Sequence, residues 1–199
     1  MSLYLISGKT CSGKDSIARE LIKMGYKRIV SNTTRPMRAG EIDGKDYHFK
    51  DIVEDYDKTY CLKSFTVADG SVWRYWLDKD EIMKAVNSDE PYICIVDADG
   101  ERELRRISNS SFYIKADWEE RLRRYYNRES KNEKPNYPEM VRRILADEED
   151  FKQIELEALI TDDVTLIIND DISLAASRID RWVRVDGWHT WRTKRIWCI

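Results

Sequence analysis

Cysteine is scarce in this sequence, and long hydrophobic runs are missing. The four cysteines, Cys11, Cys61, Cys94 and Cys198, include no close pair, which argues against a disulfide framework and against a zinc cluster. The apolar run at residues 93–96 has the length of a strand and falls far short of the roughly 18 residues of a membrane-spanning helix. Residues 1–6 carry no basic leader, so we expect a cytoplasmic protein that binds no membrane.

An excess of positive charge is also missing. Lysine and arginine total 34, aspartate and glutamate total 37, and the formal net charge is −3. Proteins that bind nucleic acid are normally strongly basic, so we expect no nucleic-acid partner. The length of 199 residues suits one domain, and 42% hydrophobic residues are enough for a sizeable core.

Apolar runs of strand length alternate with segments of helical periodicity. The strand-like runs occur at residues 3–6, 92–96 and 165–168. Strands that alternate with helices form a parallel sheet with helices on its faces, so the sequence predicts an α/β fold. Residues 31–77 differ, with short aromatic runs and turn signals such as Asp69-Gly70. Residues 117–152 have the composition of two charged helices.

A phosphate-binding loop follows the first strand-like run. Residues 8–14 have the spacing Gly-x-x-x-x-Gly-Lys between a strand and a helix, which is the P-loop signature. The backbone N–H groups of such a loop surround phosphate oxygens, the helix N-terminus adds partial positive charge, and Lys14 adds a full charge. The residues predicted to bind ATP here are Gly8, Thr10, Cys11, Ser12, Gly13, Lys14, Asp15 and Ser16.

The loop departs from the usual signature at Asp15. A serine or threonine normally contacts magnesium at this position, whereas the nearest hydroxyl here belongs to Ser16. A carboxylate is a hard oxygen ligand for Mg²⁺, but an aspartate at this place also suits a helix cap. Both interpretations of Asp15 stay open.

The segment at residues 31–49 resembles the acceptor-phosphate segment of guanylate kinases, almost letter for letter. Arg35 and Arg38, in a turn bounded by proline, provide two guanidinium forks for the oxygens of a monophosphate. Tyr47 and Ser31 add hydroxyl groups that can donate to the same anion. The sequence is therefore identified as similar to the guanylate kinase family.

The resemblance extends over about residues 3–180 and implies a three-layer P-loop kinase fold. A helical lid and an acceptor-binding region are then inserted in a parallel-sheet core. The expected bounds are 1–30, 78–118 and 151–181 for the core, 31–77 for the acceptor-binding region and 119–150 for the lid.

The C-terminal residues 182–199 contain four of the seven tryptophans. Asp186-Gly187 is a strong hairpin turn signal, so we predict an aromatic hairpin that packs on the core or on the second subunit of a homodimer. Stacking of these tryptophans on nucleic acid is the alternative.

Further site residues are implied by the resemblance. Asp97, which resembles the carboxylate beside the metal, and Asp99, which resembles one that reads the base, also suit helix caps. Asn169 resembles a position beside the adenine of ATP, and a helix cap explains it nearly as well. The lid arginines Arg124, Arg128 and Arg143 join Lys14 and Arg35 as catalytic candidates, with Arg121, Arg123 and Arg142 as neighbouring alternatives.

The resemblance fails where the family reads guanine with a glutamate. Counting back from the hairpin glycine places Ser64 at that position. A lone hydroxyl contributes about 1 kcal/mol, so we expect weak selection of the base unless Asp99 or another hairpin residue replaces the reader. Tyr75 is the expected last phosphate ligand, with Trp73 the alternative under an ungapped count.

The function that these residues favour is transfer of the γ-phosphoryl group of MgATP to a nucleoside monophosphate, GMP or dGMP above others. Two alternatives remain. Gly-Lys-Asp-Ser at residues 13–16 also resembles kinases that act on ribose 1,5-bisphosphate, and guanylate-kinase-like modules can be non-catalytic peptide-binding scaffolds. The intact Gly13-Lys14 pair argues against the scaffold.

Overall fold

Two sheets and seven α-helices are formed by the residues that the structure describes. It is a computed structural model and describes residues 2–38, 40–67 and 69–185. The strands are β1 (Leu3–Ser7), β2 (Lys27–Ile29), β3 (Asn32–Thr33), β4 (His48–Phe49), β5 (Thr59–Thr66), β6 (Val72–Asp78), β7 (Tyr92–Ile95), β8 (Ser110–Lys115) and β9 (Val164–Ile168). The helices are α1 (Lys14–Lys23), α2 (Lys79–Val86), α3 (Ala98–Leu104), α4 (Trp118–Glu129), α5 (Tyr137–Asp150), α6 (Lys152–Ile160) and α7 (Ile172–Val185).

Five strands form the central sheet in the order β2-β7-β1-β8-β9, and all of its pairings are parallel. Every residue of β1 is buried, as expected for a parallel strand covered by helices on both faces. The α/β fold predicted from the alternation is thus confirmed. Because parallel strands end at the same edge, the loops after β1, β7, β8 and β9 meet there.

Alternate residues of β1 belong to two separate parts of the core. Tyr4 and Ile6 pack with Ile17 of α1 and Ile179 of α7. Leu5 faces the other side, where it packs with buried residues of α2 and α3. The two-residue period of the strand therefore divides the core into a layer on each face of the sheet.

A small second sheet lies within residues 31–77, with the order β4-β3-β6-β5. β5 and β6 form the expected antiparallel hairpin. Asp69 accepts a hydrogen bond from the Ser71 N–H (2.9 Å) in its turn, and Gly70 has φ +85°. Lys63 is opposite Tyr75 in the register, so these two side chains emerge on the same face of the small sheet.

Helices α4 and α5 form the helical pair predicted for the lid. Asn136 caps α5 by accepting a hydrogen bond from the Glu139 N–H (3.0 Å), and Pro138 follows in the first turn, where a missing N–H costs nothing. Tyr125 of α4 packs with Met140 of α5, and Cys11 of the P-loop contacts the same cluster. The pair therefore lies against the P-loop.

The structure contradicts the predicted C-terminal hairpin at residues 182–185, which are the part of it that the structure describes. Residues 182–185 are the last turn of α7 rather than a strand. Trp182 follows Ile179 at helical spacing, and its ring meets Phe112 edge-on with 5.3 Å between centroids. Packing of Trp182 on the core thus stabilises the helix through residues 182–185. The rest of the predicted hairpin, residues 186–199, lies outside the described residues.

None of the helices in the described part of the chain has the length and apolar character needed to cross a bilayer.

A substitution at Leu5 tests the division of the core into two layers. Its side chain is fully buried, so Leu5→Ala should lower the free energy of unfolding by about 2–5 kcal/mol through lost burial and a residual cavity. Ile160→Ala, at a side chain that is 70% exposed, is the control and should change it by less than ~0.5 kcal/mol. Urea denaturation followed by circular dichroism measures both. Equal effects of the two substitutions would contradict this arrangement of the core.

Candidate active site

The loop between β1 and α1 has the curvature of a phosphate-binding loop. Gly8 and Gly13 have φ +147° and +100°. A Cβ atom on Gly8 would lie 2.4 Å from the carbonyl oxygen of Ile114, and one on Gly13 would lie 2.1 Å from Nδ2 of Asn169. Glycine is therefore required at both positions by backbone conformation and by space.

Lys14 points back into this loop. Its ammonium group donates hydrogen bonds to the carbonyl oxygens of Gly8 and Lys9. Burial lowers the pKa of Lys14, although the carboxylates of Asp147 and Asp15 oppose this shift. The charge of Lys14 thus lies within the curve of the loop, as predicted.

Asn169 holds the loop from the end of β9. Its Nδ2 donates to the carbonyl oxygen of Ser12 (2.6 Å), while its Oδ1 is buried without a hydrogen-bond partner. The start of α7 is capped instead by Asp171, which accepts from the Leu174 N–H (2.8 Å). The helix-cap interpretation of Asn169 is therefore wrong, because Asn169 holds the P-loop instead.

The lid arginines meet the loop and the small sheet. Arg124 donates to the carbonyl oxygen of Cys11 (3.4 Å) and pairs with Glu120 (2.7 Å). The guanidinium of Arg128 lies 4.4 Å from the ring centroid of Tyr125. Arg123, one of the neighbouring arginines that could replace these candidates, forms a surface ion pair with Glu120.

Glu139 orients two arginines at the start of α5. Arg142 and Arg143 both donate to its carboxylate, at 2.8 and 2.7 Å. Burial alone would raise the pKa of Glu139, but these hydrogen bonds outweigh burial and lower it to about 2. Arg143 also lies 5.8 Å from the ring centroid of Trp73, so it reaches the acceptor-binding region.

Arg38 lies in a group of arginines from two parts of the fold. Burial and the nearby charges of Arg35, Arg143 and Arg128 lower its pKa. Within the described part of the chain, no salt bridge joins Arg38 or Arg128 to a carboxylate. The charges of Arg38 and Arg128 are therefore not neutralised by a carboxylate of the described residues, and these two side chains favour binding of an anion.

Arg35 differs from the free guanidinium fork that the sequence suggests. Its side chain is 2% exposed, and its Nη2 donates to both carboxylate oxygens of Glu41 at 2.8 and 3.0 Å. It also lies 5.2 Å from the ring centroid of Tyr47. The Glu41 carboxylate also accepts a hydrogen bond from the backbone N–H of Arg38 (2.8 Å). Arg35 therefore fixes the turn that carries Arg38, and Glu41 is a positioning residue that sequence reasoning missed within its own matched segment.

Two phenols border the arginines. The rings of Tyr47 and Tyr75 are 5.8 Å apart, and burial, followed by Asp15 and Tyr75, raises the pKa of Tyr47 to about 12. Tyr75 therefore adjoins Tyr47, while the alternative Trp73 contacts Arg143. Ser31 is half-buried at the start of the same segment, where its carbonyl accepts from the His48 N–H (2.9 Å).

The structure does not bring Ser64 to the site. Ser64 is exposed, because successive side chains of a strand point to opposite faces. Its neighbours Lys63 and Phe65 line a cavity of about 100 Å³ with Tyr75 and Arg143. Ser64 therefore points away from this cavity, and Lys63 is the residue that faces it.

The carboxylates of Asp97 and Asp99 lie near the ammonium group of Lys63. Asp97 caps α3 by accepting from the Gly100 N–H (2.8 Å), and its other oxygen lies 3.3 Å from Nζ of Lys63. Asp99 lies 2.8 Å from the same Nζ and 2.6 Å from Arg102, and the hydrogen bond from Lys63 lowers the pKa of Asp99. Asp97 thus has nitrogen partners at both oxygens, which argues against its predicted role in metal binding.

Asp15 is the other residue predicted to hold the metal. It lies in the first turn of α1, is exposed, and pairs with Arg28 (3.0 Å). The N-cap of α1 is Gly13, with no side-chain cap, so the cap interpretation of Asp15 is wrong. Among the described residues, no group of three or more acidic, histidine or cysteine side chains is suited to a metal. Mg²⁺ commonly uses one or two carboxylates plus substrate phosphates, and Asp15 with the half-buried Ser16 fits that requirement.

Acidic lid residues contact the P-loop without any signal in the sequence. The Thr10 N–H donates to the carboxylate of Asp147, and Lys9 pairs with Glu148 (2.6 Å) and Glu155 (2.9 Å). A backbone N–H of this loop is a phosphate donor in P-loop proteins. Asp147 therefore occupies a position that phosphate oxygens would require.

Comparison with known proteins agrees with this geometry. The family model "Guanylate kinase" matches residues 1–180. Guanylate kinase from Thermobifida fusca is 30% identical over 171 residues, which are 83% of this chain and 82% of that protein. Guanylate kinase from Corynebacterium glutamicum is 27% identical over 187 residues, 89% of this chain and 92% of that protein.

A solved structure shows the same fold. The crystal structure of guanylate kinase from Anaplasma phagocytophilum superposes with a TM-score of 0.64 at 22% identity, and the match covers 95% of this chain and 87% of that one. The family match, the relatives and the fold lead to one assignment: the chain belongs to the guanylate kinase family.

Proposed function

We propose that this chain transfers the γ-phosphoryl group of ATP to the phosphate of GMP or dGMP, giving GDP or dGDP. The observation that carries the proposal is the presence of Arg38 and Arg128 where the small sheet meets the lid, with no carboxylate of the described residues in a salt bridge with either. Membership of the guanylate kinase family supports the same reaction.

The residues act chiefly by positioning and by charge. Lys14 and the backbone N–H groups of the P-loop hold the ATP phosphates, while Arg38, Tyr47 and Tyr75 hold the acceptor phosphate. Arg124 and Arg143 approach from the lid toward the space between them. Charge on the equatorial oxygens of the transferred phosphoryl is stabilised by such cations.

The chemistry needs no side-chain nucleophile, because the acceptor phosphate is itself an anion. Mg²⁺, when bound, neutralises charge on the ATP phosphates, and Asp15 with Ser16 would hold it. Closure of the lid excludes water and so limits hydrolysis of ATP. An assay that couples ADP formation to NADH oxidation, with GMP, dGMP and ribose 1,5-bisphosphate as acceptors, tests the proposal. Turnover with ribose 1,5-bisphosphate alone would contradict it.

Lys14→Ala should reduce kcat by at least ~10²-fold, the scale for removing one preorganised electrostatic partner. The thermal midpoint should change little, because the ammonium contacts only carbonyl oxygens of the loop. Lys23→Ala, at an exposed pair with Glu20 on the same helix, is the matched control and should keep full activity. A Lys14→Ala enzyme with near wild-type turnover would exclude the proposed role.

Asp15→Ala should raise the Mg²⁺ concentration for half-maximal rate by at least ~10-fold, since loss of even an outer-shell partner costs that much metal affinity. Asp15→Ser should restore it by supplying a hydroxyl ligand. Arg28→Met is the control, because it breaks the 3.0 Å ion pair and leaves the carboxylate in place. An unchanged magnesium titration for Asp15→Ala would show that Asp15 does not hold the metal.

Asp147→Asn should tighten ATP binding by several-fold, because phosphate no longer displaces a carboxylate from the Thr10 N–H. Glu149→Gln, an exposed neighbour on the same helix, is the control for the loss of one negative charge. Isothermal titration calorimetry with ATP at constant ionic strength compares the two. Equal affinities would mean that Asp147 and phosphate do not compete.

A further inference from the structure

The side chain of Lys9 joins the P-loop to two helices. Its Nζ lies 2.6 Å from Glu148 of α5 and 2.9 Å from Glu155 of α6. Both contacts are charge-assisted hydrogen bonds, which are stronger than those between neutral groups. The side chain is 10% exposed, so salt and water screen these contacts less than they screen an ion pair at the surface. Lys9 is therefore held by two carboxylates that come from outside the loop.

The two carboxylates are themselves held by further cations. The second oxygen of Glu148 accepts from Arg121 of α4 (2.6 Å), and the second oxygen of Glu155 pairs with Lys115 at the end of β8 (2.8 Å). Charges of opposite sign therefore alternate along a charge chain, in the order Arg121, Glu148, Lys9, Glu155 and Lys115. Such a network orients its members, whereas an isolated surface pair contributes little.

The three central groups of the charge chain are ionised. Burial alone would lower the pKa of Lys9, but the hydrogen bonds to Glu148 and Glu155 outweigh burial and raise it. Burial alone would raise the pKa of both glutamates, but the hydrogen bonds from their cations outweigh burial and lower it. The contacts of Lys9 are therefore ion pairs near neutral pH.

The backbone of Lys9 holds Lys14 and the turn of the P-loop. The carbonyl oxygen of Lys9 accepts from the ammonium of Lys14 (3.0 Å) and from the N–H of Ser12 (3.1 Å). Ion pairs that fix the side chain of Lys9 therefore also fix the acceptor to which Lys14 donates. Two carboxylates occupy the ammonium of Lys9, so its influence on a phosphate runs through the backbone of the loop.

We propose that Lys9 is a positioning residue for ATP, whose ion pairs with Glu148 and Glu155 fix the P-loop in the conformation that receives the ATP phosphates. This inference rests on the proposed function, which places ATP in this loop. Lys9 lies at one of the four variable positions of the signature Gly-x-x-x-x-Gly-Lys. A loop that is already ordered binds its ligand more tightly, because less conformational freedom is lost on binding.

Lys9→Met tests the inference, because it keeps the apolar stem of the side chain and removes the ammonium. Isothermal titration calorimetry at constant ionic strength measures ATP and GMP separately. The Kd for ATP should rise by at least ~10-fold, since the loop must then be ordered by the ligand. The Kd for GMP should stay within about twofold, because the predicted acceptor ligands Arg38 and Tyr47 lie outside the charge chain.

Lys115→Met is the matched control. It removes a cation from the same carboxylate, Glu155, but at a side chain that is 39% exposed and outside the P-loop. The Kd for ATP should then stay within about twofold of the wild type. Lys9→Arg keeps a cation at the loop and should bind ATP at least ~3-fold more tightly than Lys9→Met.

Glu155→Met separates position from charge. Lys9→Met removes a positive charge and Glu155→Met removes a negative one, so an effect of charge alone would weaken ATP binding in the first variant and tighten it in the second. Loss of the anchor weakens ATP binding in both, and we expect the Kd of Glu155→Met to rise by at least ~3-fold. Tighter or unchanged binding by Glu155→Met would overturn the role of Lys9, and this variant decides even if Lys9→Met does not fold.

Two further results would exclude Lys9 as a positioning residue. One is an unchanged Kd for ATP in Lys9→Met. The other is an equal loss of ATP and GMP affinity, which is the signature of a residue that supports the fold in general. Circular dichroism of each variant establishes that it is folded before the titrations are compared.

Failure of the proposed function has a different signature. It would appear as absence of phosphoryl transfer to every acceptor in the coupled assay. The titrations with ATP need no transfer, so the order of ATP affinities among the variants still decides the role of Lys9. Absence of ATP binding by the wild-type chain would overturn that role directly.

Discussion

Arg38 lies among other arginines at the junction of the small sheet and the lid, where burial and the charges of Arg35, Arg143 and Arg128 lower its pKa. Such a group is held together only because the surrounding structure orients it. Glu41 fixes the turn that carries Arg38, and Glu139 fixes Arg143. An anion bound there would relieve the repulsion that remains, so this arrangement favours an anionic ligand.

The lid carries carboxylates as well as arginines toward the P-loop. Asp147 accepts from the Thr10 N–H, and Glu148 pairs with Lys9. These contacts satisfy loop donors that phosphate would otherwise satisfy. Arg124 donates to the carbonyl oxygen of Cys11 in the same loop. The lid therefore contacts the P-loop through both positive and negative side chains.

Lys63 connects three parts of the chain. Its ammonium lies on the small sheet, Asp97 and Asp99 belong to the edge of the central sheet, and Asp150 ends the second lid helix. Because both core carboxylates face this ammonium, neither acts as an isolated negative charge.

Local patterns in the sequence were enough to predict the α/β core, the loop at residues 8–14, the turn at Asp69-Gly70 and the helical pair of the lid. Each depends on the period of apolar residues or on a glycine at a fixed spacing, so each is encoded within a short stretch. The segment at residues 31–49 likewise identified Arg35 and Arg38 as candidate phosphate ligands.

What only the tertiary structure decided depends on contacts between distant segments. Ser64 and Lys63 differ by one position, and the strand pairing of β5 with β6, not the count of residues, determines which of them faces the cavity. The approach of Asp147 to Thr10, 137 residues apart in the chain, likewise carries no local signal. Residues 182–185 had a hairpin signal, but burial of Trp182 against Phe112 made them helical, because packing of an apolar face outweighs local turn preference.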